Sequence, residues 1–174
     1  MTEEPRTPVQ RVAGGRYRLR LEAGERRVIG ALVGELKAAT EGGTDLADPA
    51  YARLYPVARP DDPDAQAEFV SLVREDLEDG RRRALEIVAR TLDAETLDAG
   101  EVAAWLGVCN DLRLVIGTRL GVGEDDIDHD GTDAGTDDPD AWPTLVFSFL
   151  GWLVGELVDA LAAGLPDVPE EPPV

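Results

Sequence analysis

The sequence holds one cysteine and one histidine in 174 residues, and both scarcities exclude chemistry. A single thiol permits no intrachain disulfide and no thiolate metal cage, and it fits a reducing compartment. The lone histidine, His129, has no serine or cysteine close to it in sequence, and no glycine-rich phosphate loop or nucleophile elbow occurs. Carboxylates abound, but without histidine or metal-ligand spacing they argue for solubility rather than acid–base catalysis. The chain is therefore expected not to be an enzyme and to carry no cofactor and no metal. Aromatics are scarce at 5%. The apolar residues are mostly Leu, Ala and Val, and they recur at three and four, which favours helix over sheet. Positive charge is short as well. With 17 basic against 36 acidic residues, the net charge of −19 repels phosphate backbones and acidic lipid surfaces. The first residues lack the pattern of an export signal. The longest apolar run, residues 145–158, is shorter than a bilayer span and contains Glu156, so a cytoplasmic location is expected.

What is present is organised around residues 102–120. Val102, Trp105, Leu106, Cys109, Leu112, Ile116 and Leu120 share one broad helical face. Arg113 falls inside that face and demands a partner, because an isolated buried charge costs several kcal/mol. Residues 1–8 read as a loose start. Residues 9–12 and 17–21 flank Ala13-Gly14-Gly15, a hairpin signal, with Tyr17, Leu19 and Leu21 alternating against Arg16, Arg18 and Arg20. From Arg6 to Arg27 seven arginines face only Glu22 and Glu25, a local basic region in an acidic chain. It reads either as a solvated outer face or as a docking patch.

Helices are expected over residues 25–40 and, after Asp48-Pro49, over a short turn through Leu54. Asp61-Asp62-Pro63 opens the longest pattern, with apolar positions Phe69, Leu72, Val73, Leu77, Ala84, Ile87, Val88 and Leu92. The phase holds across Gly80. That argues for one long helix rather than a helix-turn-helix entered by Arg81, Arg82 and Arg83. Asp98 or Thr96 is placed to cap the central helix.

Residues 123–140 carry nine acidic residues and no Lys or Arg, and read as a mobile loop. Asp126, Asp128, Asp130, Gly131 and Asp137 match the spacing of a calcium-binding helix-loop-helix. Asp133 at the eighth position and Asp rather than Glu at the twelfth depart from it, and a plain acidic linker accounts for the same residues. The final helix, ending near Ala163, carries Leu145, Val146, Phe149, Leu150, Trp152, Leu153, Leu157, Val158 and Leu161. It reads as the buried centre of a bundle or as half of a homodimer interface. Glu156 and Asp159 are the candidate ion-pair partners of Arg113. Residues 164–174, rich in proline and acid, are expected to be disordered.

Cys109, one turn before Arg113, is the redox candidate: a neighbouring cation favours thiolate. The alternative is a small buried hydrophobe beside Trp105 and Leu112. The fold expected is mainly α, a single helical bundle of about five helices over residues 9–163 with a small N-terminal β-hairpin.

RLYP at residues 53–56, AEF at 67–69, NDLRLVIGTRLGV at 110–122 and FLGWL at 149–153 together resemble the actinobacterial AosR family over residues 17–161. The resemblance implies an oxidative-stress transcriptional regulator that works with an extracytoplasmic-function sigma factor to raise cysteine-biosynthesis gene expression. An acidic protein suits docking on a basic sigma factor better than gripping promoter DNA. A single cysteine leaves sulfenylation, an intermolecular bond, or no thiol sensing at all. Two other functions remain open. One is direct DNA binding through Arg16, Arg18, Arg20 and Arg81, Arg82 and Arg83; the other is a dimeric adaptor without a transcriptional role.

Overall fold

The computed structural model describes residues 7–41, 43–55, 57–58, 61–122 and 141–164. Strands β1 (Val9–Val12) and β2 (Arg16–Leu19) form the expected hairpin, turned by Gly14 and Gly15 at φ of 75° and 69°. A Cβ strains at such angles, which is why glycine stands there. The register pairs Val9 with Leu19 and Arg11 with Tyr17. Val9, Tyr17 and Leu19 are buried while Arg16, Arg18 and Arg20 face outward, as the alternation requires. A third strand, β3 (Thr96–Leu97), pairs antiparallel with β2, with Leu97 opposite Tyr17.

Among the described residues there are five helices: α1 (Ala23–Thr40), α2 (Pro49–Ala52), α3 (Pro63–Thr91), α4 (Ala99–Arg119) and α5 (Ala141–Ala162). The molecule is mainly α with a small antiparallel sheet at its N-terminal end. Local chemistry sets the helix starts. Glu22 and Glu25 form a reciprocal capping box on α1, and Asp98 and Glu101 form another on α4. Asp48 and Asp62 each cap a helix whose next residue is proline.

Helix α3 runs unbroken through Gly80, so no helix-turn-helix exists there. It is fully buried only toward the C-terminal end, at Leu85, Val88 and Thr91, while Val70, Leu77 and Ala84 pack partly buried against the core and Leu72, expected in the core, is 75% exposed. Helix α4 is the true centre. Val102, Ala104, Trp105, Val108, Cys109, Leu112, Val115 and Gly117 are all buried and cover more than half its circumference, because α1, α2, α3, α5 and the sheet all pack on it. The expected single face was too narrow. Trp105 Nε1 donates to Thr91 Oγ1 at 2.8 Å, and that hydroxyl donates to the Ile87 carbonyl at 2.7 Å, so the one polar link in this part of the core is fully used.

Helices α4 and α5 run antiparallel in a register set by two glycines. A Cβ on Gly117 would lie 2.8 Å from the Phe147 ring, and one on Gly151 would lie 3.2 Å from Arg113 Nε. Each glycine admits a large side chain from the opposite helix. Beyond the end of α5, Gly164 sits against the Tyr17 hydroxyl, closing α5 over the hairpin.

Candidate functional site

Helix α5 has two apolar sides. Val146, Leu150, Leu153, Leu157 and Ala160, spaced four and three apart, are buried on the α4 side. On the flank turned toward α1, Leu145, Phe149 and Trp152 repeat the same spacing, and the described residues leave this flank partly open. Leu145 is 59% exposed, Trp142 one turn earlier is 62% exposed, and Trp152 is 37% exposed. The Phe149 and Trp152 rings lie 6.0 Å apart at 42°. With Val28, Arg27, Gly24, Glu22 and Glu25 of the α1 start, Trp142, Leu145 and Phe149 enclose a groove of about 470 Å³. A contiguous run of large exposed apolar side chains is uncommon on the outside of a folded chain.

The helix is also longer than its apolar run suggests. Its 22 residues, with a mean hydropathy of 1.7 over their most apolar 18, are long and apolar enough to cross a membrane by length and composition. One whole side of it is nevertheless buried in protein contacts, with Leu150, Leu153 and Leu157 fully inaccessible. The groove was only half legible in the sequence. Periodicity shows a helix with apolar residues on every side, and only the placement of α1 decides which of them stay open.

Glu156 and Asp159 continue the Leu145–Phe149–Trp152 flank by one and two further turns. Neither pairs with Arg113, contrary to the expectation. Arg113 instead lies over the Phe147 ring, 4.8 Å from its centroid, beside Gly151, and its buried Nε has no hydrogen-bond partner. The reason is register: with Gly117 opposite Phe147 and Arg113 opposite Gly151, Glu156 lies more than a turn farther along α5. The ring face supplies the favourable contact that a carboxylate was expected to supply.

The three consecutive arginines are not one surface. Arg81 is turned inward with its side chain 7% exposed. Its Nε donates to Asp111 Oδ2 at 2.8 Å, its Nη2 donates to the Leu54 carbonyl at 2.9 Å, and its guanidinium lies 5.5 Å from the Tyr55 ring centre. Burial pushes the Asp111 carboxyl above its ordinary range, and the Arg81 charge and hydrogen bond draw it part of the way back. Arg81 is thus a strut between α3, α4 and the buried Leu54-Tyr55 pair, not a docking residue. Arg82 and Arg83 stay exposed but share Asp79, at 2.7 and 3.8 Å.

On the hairpin, Arg16 is spent on Thr96, donating to its Oγ1 at 3.2 Å and its carbonyl at 3.0 Å, which fastens β3. Arg26 donates to the Leu19, Leu21 and Leu92 carbonyls. A groove of about 420 Å³ lies there, lined by Arg18, Arg20 and Arg26 with Leu19 and Leu21, but also by Glu22 and Glu95. The basic surface expected for DNA is reduced accordingly.

Cys109 is fully buried on α4, and burial pushes its thiol up to about 12 from 9.0. The cation one turn away does not offset this, because Arg113 is directed at Phe147. The geometry favours the small-hydrophobe reading of Cys109 over the redox one.

A further polar cluster fixes the segment before α3. Tyr55 Oη and Arg74 Nε donate to Glu78 Oε1 at 2.8 and 2.7 Å, and Arg74 Nη2 donates to the Thr44 carbonyl at 2.7 Å. Burial alone would raise the Glu78 carboxyl. The hydrogen bonds from Arg74, Tyr55 and the Thr44 N–H outweigh it and hold the group below its usual range.

Among the described residues no three His, Cys, Asp or Glu side chains are grouped to hold a metal ion. The calcium-loop candidates Asp126, Asp128, Asp130, Gly131 and Asp137, together with His129 and the C-terminal tail, lie outside the described residues. A family model described as a domain of unknown function, DUF2017, matches residues 6–161, so the chain belongs to that family. No curated protein and no solved structure matches it.

Proposed function

We propose that this member of the DUF2017 family is a non-enzymatic regulator that works by protein contact through the groove between α1 and α5. The observation that carries the reading is the open flank Trp142–Leu145–Phe149–Trp152, a set of large apolar side chains held rigidly on a helix whose other side is locked into the core. Covering one such side chain contributes about 1.5–3 kcal/mol, so a few anchors suffice for a specific complex. The net charge of −19 and the internal use of Arg81 and Arg16 make a protein partner a better fit than DNA.

The resemblance to the AosR family supports a finer statement. The partner is an extracytoplasmic-function sigma factor in the cytoplasm, and the output is oxidative-stress control of cysteine-biosynthesis genes. With Cys109 sealed in the core, the oxidant signal enters through the partner or another component rather than through this thiol.

The test is affinity capture from cells before and after peroxide, using the unaltered protein, Cys109→Ala and Leu145→Gln. A sigma factor should come down with the first two alike and be lost with Leu145→Gln. Capture of no transcription factor, or capture indifferent to Leu145→Gln, would overturn the proposal. Loss in Cys109→Ala alone would restore the thiol as sensor.

A further inference from the structure

We infer that the α1/α5 groove receives an amphipathic helix whose apolar stripe is flanked by basic residues. The inference rests on reading this groove as a protein-contact site and adds the chemistry of what enters it. From Trp142 to Trp152 the open flank is about 15 Å long, or three helical turns. Its side chains at four- and three-residue spacing present ridges that match anchors at i, i+3 or i+4, and i+7 on a helix laid alongside.

The rim supplies the charge. Glu22 and Glu25, which also cap α1, stand at the α1 edge beside Arg27, and Glu156 and Asp159 continue the α5 flank beyond Trp152. Lysine or arginine flanking the incoming stripe complements that rim. An acidic helix, an anionic bilayer or a nucleic-acid backbone meets like charge there and in the molecule as a whole. A second copy of this chain is disfavoured for the same reason, since a twofold contact through this face brings the acidic rim of each protomer to the same interface.

The probe is a synthetic peptide of about 18 residues with leucine at helical stripe positions and lysine elsewhere, paired with a counterpart carrying glutamate for lysine. Titration into the full-length protein is read by the fluorescence of Trp142 and Trp152, against the invariant contribution of buried Trp105. The lysine peptide should bind with a blue shift and the glutamate peptide should not. Leu145→Gln, exposed and neutral, should weaken binding about tenfold or more, whereas Val158→Gln, on the opposite flank of α5, should leave it unchanged.

Equal binding of both peptides would overturn the inference. So would lysine-peptide binding that Leu145→Gln leaves unchanged, which would be general attraction to an acidic surface. A stable dimer through Leu145 that the peptide does not displace would overturn it in favour of a second copy. No sigma factor enters the titration. Groove binding of the lysine peptide would stand even if the cellular capture fails, and groove-dependent capture without peptide binding would sink only the helix chemistry.

Discussion

Replacing Arg81 by methionine separates a structural arginine from two solvated ones in the same tripeptide. The substitution keeps the apolar stem but removes the guanidinium, leaving Asp111 with its side chain only 21% exposed and the Leu54 carbonyl without its donor. Breaking a buried pair on one side costs about 3–5 kcal/mol, much of it the penalty of the abandoned charge. Asp111 keeps some water, so about 3 kcal/mol is expected, a Tm drop of about 6–12 °C for a chain of this size. Arg82→Met removes only an exposed pair with Asp79 and should stay within about 0.5 kcal/mol. Urea unfolding followed by far-ultraviolet circular dichroism measures both. Adding Asp111→Leu to Arg81→Met should recover about 1–3 kcal/mol of the loss, since no charge is then stranded. Equal, small effects for Arg81→Met and Arg82→Met would refute the argument and return Arg81 to the surface.

Native Cys109 should resist iodoacetamide at pH 8 and react fully only in denaturant, because a thiol titrating near 12 is thiolate in about one molecule in 10⁴ at that pH. Its folded pKa lies above the unfolded value, so the folded state holds the proton longer and stability falls as pH rises past 9.0; Cys109→Ala should remove that part of the alkaline loss. Glu78 has the opposite sign: its folded pKa lies below 4.5, so its contribution is present above that value and lost as pH falls through the folded pKa. The stability difference between the unaltered protein and Glu78→Gln should therefore shrink on acidification, and a difference independent of pH would contradict it. Gly80→Ala, with nothing within 4 Å of the new methyl, should stabilise by up to about 1 kcal/mol, whereas Gly117→Ala should destabilise by about 1–2 kcal/mol by pushing on Phe147; Tm values of the two variants check the contrast.

Local rules made much of this fold readable in the sequence. Gly14-Gly15 with alternating Tyr17 and Leu19 specified the hairpin, and Asp48-Pro49, Asp62-Pro63 and Asp98 marked helix starts. Continuity of the stripe across Gly80 predicted one α3. What escaped is what only tertiary placement decides. Strand β3 is two residues long, too short for alternation, and exists because β2 offers it an edge. The inward turn of Arg81 depends on Asp111, 30 residues away. The demand that Arg113 find a carboxylate overlooked an aromatic face as its neighbour. The groove was invisible for a related reason. A helix that is apolar all round does not say which side its own fold will cover, and here α1 runs beside Trp142 and Leu145 without closing on them.

The closure of the hairpin has a consequence in time rather than in space. β1 and β2 precede in the chain every element they pack against, and Tyr17 and Leu19 are buried only when β3, α4 and the end of α5 arrive, the last of them at Gly164. Until then the two strands have no apolar surface to lie on, and a two-stranded hairpin alone is marginal in water. The hairpin therefore stays unsatisfied until residues well over a hundred positions later have been made, and its docking waits on contacts distant in sequence.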